Sequence, residues 1–226
     1  MQLDSIQIGV ADLADAARDY ALVLGREPTA PCAHTRRFEL CRGAVELEPG
    51  ELGVHSLRFV PEPGEAPRWP LDREAFNGLD VRVGGVATAT TSVHSSPGVV
   101  HAIDHVVINT PDLDRAVALW RDRLGIRLAL DREFPHRGLR MCFFRSAGIT
   151  LEFVGSLPPP REREAPDRLY GLAYQVTDLA NCRARLLRAG VDVSETRPGN
   201  KTDTTVATVR SHTAGVPTLL IAEVAG

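Results

Sequence analysis

Laid on itself at an offset of 100 residues, the chain repeats: Leu3-Asp4-Ser5-Ile6-Gln7-Ile8 faces Ile103-Asp104-His105-Val106-Val107-Ile108. Downstream, Asp12, Leu13, Ala16, Leu24 and Gly25 recur as Asp112, Leu113, Ala116, Leu124 and Gly125, and Tyr20 faces Trp120. Matches spread over a strand-like run and a helix-like run at one constant offset mark a duplication. A duplicated unit restricts the chain to architectures assembled from repeats.

Each copy has a short β-rich run, a polar break, then apolar residues at helical spacing. In the second copy 103–108 is the predicted strand, and Asn109-Thr110-Pro111 offers a capping hydroxyl followed by a proline at a tolerated first-turn position. Leu113, Val117, Trp120 and Leu124 then form one apolar helical stripe, with Asp114, Arg115, Arg121 and Asp122 on the wet side and Gly125 closing the helix. Beyond it 127–132, 139–145 and 149–154 read as strands, the last two joined by a Ser146-Ala147-Gly148 turn. The unit is β-α-β-β-β, roughly 50 residues long.

A further unit takes a strand over 170–176, a helix over 178–189, Gly190, and strands up to Val224, after the proline- and charge-rich linker 156–167. Residues 53–92 hold the remaining one. There 54–60 reads as a first strand, but Pro61-Glu62-Pro63-Gly64 and Pro67 preclude a full helix, so this module is expected to be degenerate. The expected fold class is α+β, with four tandem βαβββ modules forming two paired-module domains whose curved mixed sheets enclose a cavity. Residues 1–95 would carry the first pair and 101–226 the second, with the candidate site.

The composition, 43% hydrophobic and 24% charged over 226 residues, is that of an ordinary globular chain. A formal charge of −3 lacks the basic excess that phosphate-backbone binding needs, so no nucleic-acid partner is expected. No stretch of about 18 apolar residues and no cationic–apolar leader is present, so no membrane partner and a cytoplasmic location are expected. The cysteines at 32, 41, 142 and 182 are too scattered for a C-x-x-C motif or a disulfide framework.

Tandem β-α-β-β-β units resemble the vicinal oxygen chelate superfamily, which includes glyoxalase I, bleomycin-resistance proteins, methylmalonyl-CoA epimerase and extradiol dioxygenases. The resemblance covers nearly the whole chain and is most specific in residues 103–113 and in Gly148-Ile149-Thr150-Leu151-Glu152-Phe153. It implies a small-molecule substrate, permits a homodimer, and implies a divalent metal ion (Fe, Mn, Ni or Zn) held by a histidine from a module's first strand and a glutamate from its last. Those positions match His105 and Glu152. Imidazole and carboxylate suit such ions, and vacant coordination positions accept two adjacent substrate oxygens.

The partner ligands are missing from the last module, where a shift of 66 residues sets Gly171 opposite His105 and a leucine of Thr218-Leu219-Leu220-Ile221 opposite Glu152. Three histidines are candidates to complete the set. His55 follows His105 at an offset of 50 and would give a two-histidine, one-carboxylate triad if the second and third modules pair, although consecutive pairing is simpler. His136 and His212 lie in loops.

If the hairpin turns about Ala147, Glu152 pairs with Cys142 and Val154 with Arg140, which puts Arg140, Cys142, Phe144, Thr150 and Glu152 on one face. Arg140 is then either a substrate-binding group or the partner of Glu152 in a structural ion pair. Asn109 and Gln175 correspond under the shift of 66 and either bind a ligand or end their strands. The Arg197-Pro198-Gly199-Asn200-Lys201 turn either receives an anion or is a surface loop, Cys142 is a candidate reactive thiol, and Trp69 and Trp120 are expected to pack.

The first functional expectation is a glyoxalase-like, metal-assisted lyase or isomerase acting on a small oxygenated substrate, with Glu152 as catalytic base. The second is a metal-free binding or resistance protein. Extradiol ring cleavage is third.

Overall fold

In a computed structural model, which describes residues 2–61, 74–84 and 96–224, the first copy of the repeat (module one) runs β1 (Gln2–Val10), α1 (Leu13–Leu24), β2 (Thr29–Cys32), β3 (Thr35–Glu39) and β4 (Ala44–Pro49). Module two has β5 (Gly53–Val60), a 3-10 turn at Glu74–Phe76 and β6 (Asp80–Val83). The second copy (module three) runs β7 (Val100–Asn109), α2 (Leu113–Val117), a π-helical continuation Ala118–Arg123, β8 (Arg127–Phe134), β9 (Leu139–Ser146) and β10 (Ile149–Ser156). Module four has β11 (Arg168–Val176), α3 (Leu179–Arg188), β12 (Arg197–Pro198), β13 (Thr204–Val209) and β14 (Thr218–Glu223).

The two copies share topology and register. First and last strands pair in parallel, Ser5 opposite Ala44 in one and His105 opposite Thr150 in the other. The strands form a six-stranded sheet ordered β2-β3-β4-β1-β5-β6 and an eight-stranded sheet ordered β12-β13-β14-β11-β7-β10-β9-β8. This is the mixed α+β architecture of paired modules that the repeat predicts. Module two shows only the 3-10 turn between its strands among the described residues. Pro63, Gly64, Pro67 and Trp69 lie outside them.

An aspartate opens each helix. Asp12 accepts from the Asp15 N–H, Asp112 from those of Asp114 and Arg115, and Asp178 from that of Asn181, each satisfying donors that a helix start leaves orphaned. The cap of module three therefore falls two residues later than the Thr110-Pro111 reading. The Thr110 hydroxyl accepts from the Asp112 N–H at 3.1 Å instead. Gly25 and Gly125 end the helical runs with φ of +69° and +73°, the left-handed conformation that costs glycine least. The stripe over 113–124 starts as an α-helix but widens, with the Leu124 N–H bonded to the Leu119 carbonyl five residues back at 2.9 Å.

The two sheets take β1–β6 and β7–β14 in turn. Compact packing interleaves: one unit gathers Met1–Asp4, Ser56–Thr88 and His105–Tyr170, the other Ser5–His55, Ala89–Asp104 and Gly171–Gly226. In the first unit Trp120, fully buried, explains the grouping, because its ring meets Phe59 and Phe76 of module two at 6.1 and 5.9 Å and Phe153 of β10 at 5.5 Å. Aromatic contacts of this kind add to the area they bury. In the second unit Tyr20, the counterpart of Trp120, packs on Phe38 and donates to the Thr213 carbonyl at 3.0 Å. Arg185 of α3 donates to the Leu22 and Val23 carbonyls at the end of α1, which supplies the cation that this helix lacks in its own last turn. Among the described residues no helix is long and apolar enough to cross a membrane.

Candidate functional site

Strand alternation gives module three one helix-covered face and one face turned away from the helix. Ile149, Leu151 and Phe153 of β10 are fully buried with Val106 and Ile108 of β7. The residues between them, His105 and Val107 on β7 and Glu152 on β10, point the other way. There His105 Nε2 lies 3.7 Å from Glu152 Oε2, each side chain 16% exposed. The structure thus brings together the histidine and glutamate singled out by sequence, on one face.

The β9–β10 hairpin differs from the expected register by one residue. Ser146 pairs with Ile149, so Glu152 faces Phe143, Val154 faces Met141 and Gly155 faces Arg140. The cause is the turn. Ala147 and Gly148 both have positive φ, +48° and +82°, which makes a two-residue hairpin loop rather than a three-residue one. A shift of one residue moves every side chain of β9 to the opposite face.

Arg140 consequently lies on the face opposite Glu152, where it donates to Asp131 at 2.9 and 2.7 Å and to Asp114 at 2.7 Å. These bonds hold the Asp131 carboxyl below its ordinary value. Cys142 also belongs to the helix-covered face, and burial, reinforced by Asp131, pushes its thiol up to about 12. It is a packed thiol rather than a nucleophile. Phe143, Met141 and Arg145 on β9 and Thr150 on β10 share the face of Glu152. Arg145 donates from Nη1 to the Thr150 hydroxyl at 2.6 Å. Sequence reasoning missed Arg145 because the assumed register turned it away.

Asn109 is exposed at the end of β7, paired with Val154. Gln175 belongs to the other compact unit, where it accepts from Arg42 and donates to Asp104 at 2.5 Å. His55 lies 3.9 Å from Glu48, and His212 lies 3.9 Å from Asp19. His136 sits on a 3-10 turn against the Phe134 ring. Among the described residues no three His, Cys, Asp or Glu side chains gather so as to hold a metal. Gly171 leaves no room for a ligand: a Cβ there would stand 2.6 Å from the Pro217 carbonyl oxygen. By register with Ala173, the counterpart of Glu152 in module four is Leu219. The 197–201 turn spends the Gly199 N–H on the Thr204 carbonyl and pairs Lys201 with Glu223.

The donor pair fits a divalent ion. Two ligands on one metal, with bonds of about 2.0–2.2 Å, lie roughly 3.0–3.5 Å apart, so the 3.7 Å between His105 and Glu152 needs little closure. Water or substrate oxygens would supply the remaining positions.

Module one carries a different arrangement at the same place. Gln7 is the Cα partner of Glu46, as Val107 is of Glu152. Glu46 accepts from Arg37 Nη1 at 2.5 Å and from Gln7 Nε2 at 2.7 Å, and Gln7 also donates to Ser5 at 2.9 Å. All four residues are buried.

Residues 104–208 match the family described as the Glyoxalase/Bleomycin resistance protein/Dioxygenase superfamily. Over 97 residues, 40% of this chain and 72% of the relative, the sequence is 27% identical to an ethylmalonyl-CoA/methylmalonyl-CoA epimerase of Cereibacter sphaeroides. Among solved structures, the Mn(II)-bound glyoxalase from Novosphingobium aromaticivorans matches 99% of this chain and 82% of its own, with a TM-score of 0.72 at 19% identity. Methylmalonyl-CoA epimerase from Mycobacterium tuberculosis matches 59% of this chain and 95% of its own, with a TM-score of 0.48 at 20% identity. The long structural match establishes a shared fold.

Proposed function

We propose that this chain, whose residues 104–208 match the glyoxalase/bleomycin resistance/dioxygenase superfamily, is a metal-assisted isomerase or lyase of that superfamily that moves a proton on the carbon beside a carbonyl of a small oxygenated substrate. The observation that carries this reading is the approach of His105 Nε2 and Glu152 Oε2 to 3.7 Å on the face of module three turned away from its helix. When bound there, a divalent ion (Fe, Mn, Ni or Zn) supplies Lewis acidity to the substrate carbonyl. Glu152 then has two uses, as ligand and as the carboxylate that takes the proton. Val107 and Phe143, its partners on either side, limit water at the reacting carbon. Asn109, two residues beyond Val107 on the same face, donates to a substrate oxygen. The similarity to an epimerase supports isomerisation over ring cleavage, and Gly171 and Leu219 leave module four without the ligands that an extradiol dioxygenase would draw from it.

A second reading, a metal-free small-molecule binder, is favoured by one observation: no third donor joins His105 and Glu152 among the described residues. Solvent-deuterium exchange separates the two. Protein loaded with each of the four metals is incubated in deuterium oxide with carbon acids that include methylmalonyl-CoA, and exchange is followed by proton NMR. The enzyme reading expects exchange that disappears in Glu152→Gln and in His105→Ala. Exchange that survives both substitutions would place the chemistry elsewhere. Ligand binding without exchange, unaffected by chelator, would leave the binding reading in force.

A further inference from the structure

On the face of module three turned away from its helix, four Cα partners stand in one row across four strands: His105 on β7, Thr150 on β10, Arg145 on β9 and Arg127 on β8. The row ends in two arginines directly opposite each other, an arrangement that repels. Two other strand arginines are neutralised. Arg140, on the other face of β9, is held by Asp131 and Asp114, and Arg37 of module one by Glu39 and Glu46. Arg145 and Arg127 are exposed, and among the described residues neither has a carboxylate partner. The hydrogen bond from Arg145 Nη1 to Thr150 fixes the guanidinium and leaves its Nη2–Nε edge, the geometry that receives a carboxylate through two parallel bonds. The next row along the face places Phe143 opposite Leu130, which is 46% exposed. Two strand spacings, roughly 10 Å, separate the backbone positions of His105 and Arg145.

We propose that this face takes an amphiphilic organic carboxylate. Its anionic end is received by Arg145 and Arg127, its apolar body lies over Phe143 and Leu130, and its reactive end reaches His105 and Glu152. The assignment rests on the reading of His105 and Glu152 as the reacting centre and names the substrate class for it. Inorganic anions satisfy the arginines but not the apolar row, and neutral ligands satisfy the apolar row alone.

The test is calorimetric titration with 3-phenylpropanoate, its neutral amide, and inorganic phosphate, at low and at raised salt. The carboxylate is expected to bind roughly tenfold more tightly than the amide, with a preference that shrinks with salt and vanishes in Arg145→Ala and in the Arg145→Ala/Arg127→Ala pair. Arg145→Lys, which keeps the charge but loses the fork, should retain only part of it. Equal binding of carboxylate and amide, including no measurable binding of either, overturns the proposal, as does a preference that survives loss of both arginines. Phosphate binding as tightly as the carboxylate overturns the apolar half. Manganese titration of the unmodified protein reads the other claim separately. Metal bound through His105 and Glu152 with no carboxylate preference removes only this inference. Carboxylate preference without metal binding leaves it standing and removes the metal-assisted reaction.

Discussion

In module one the strand pair β1–β4 sets Glu46 beside Gln7, and in module three the matching pair β7–β10 sets Glu152 beside Val107. The frame is the same, yet Glu46 is sealed by Arg37, Gln7 and Ser5 in a buried network, while Glu152 stands beside His105 on a partly exposed face. Cross-strand from the glutamates, module one has Arg37 where module three has Phe143. Two residues further along, on the same face, it has Glu39 where module three has Arg145. A duplicated scaffold can thus keep its carboxylate in both copies and use it in opposite ways. An internal guanidinium makes one copy a structural ion pair, whereas the other has Phe143 at the matching cross-strand position.

The largest effect is expected where the seal is broken. Arg37→Met strands Glu46 in a buried site and should cost about 3–5 kcal/mol in urea unfolding. A loss no larger than that of an exposed ion pair would mean Glu46 is not sealed. Glu152→Gln, at the equivalent place, should change stability by less than about 1 kcal/mol and should abolish manganese binding. A loss matching that of Arg37→Met would make Glu152 a structural group too.

The contrast also holds between the two faces of β9. Arg140 holds Asp131 below its unfolded value of 3.8, so this pair stabilises the fold above that pH and ceases to as the pH falls through the lower folded value. Asp131→Asn should therefore flatten the acid limb of a stability–pH profile, and an unchanged limb would remove the pairing from the account. The smallest effect belongs to Arg127. Its replacement by alanine relieves the repulsion with Arg145 and should leave stability within about 0.5 kcal/mol of the original, on the favourable side, by thermal unfolding. A larger loss would reveal a counterion for Arg127.

Much of the frame was legible because repeats, aspartate caps and glycine stops are local signals: Asp12 and Asp112, Gly25 and Gly125 mark the same places in both copies. The choice of His105 and Glu152 came from the resemblance to the superfamily, and the regular alternation of their strands puts them on one face. The face of β9 was not. Nothing in Ser146-Ala147-Gly148 announces that alanine takes a positive φ, which few residues other than glycine adopt, and the one-residue register difference exchanged Arg145 for Arg140. The network of module one escaped because Glu46 and Arg37 lie beyond the strand and helix over which the two copies match by eye. Aligning the copies strand by strand, rather than by a fixed offset, would have exposed it. The packing of module two on Trp120 depends on contacts between distant segments, which no local pattern encodes.

Manganese binding followed by electron paramagnetic resonance tests the contrast between the copies most directly, on the unmodified protein, Ser5→Ala, His105→Ala and Glu152→Gln. The account predicts one ion per chain, retained in Ser5→Ala and lost in both module-three variants. An ion retained in His105→Ala and Glu152→Gln, or lost in Ser5→Ala, would contradict it.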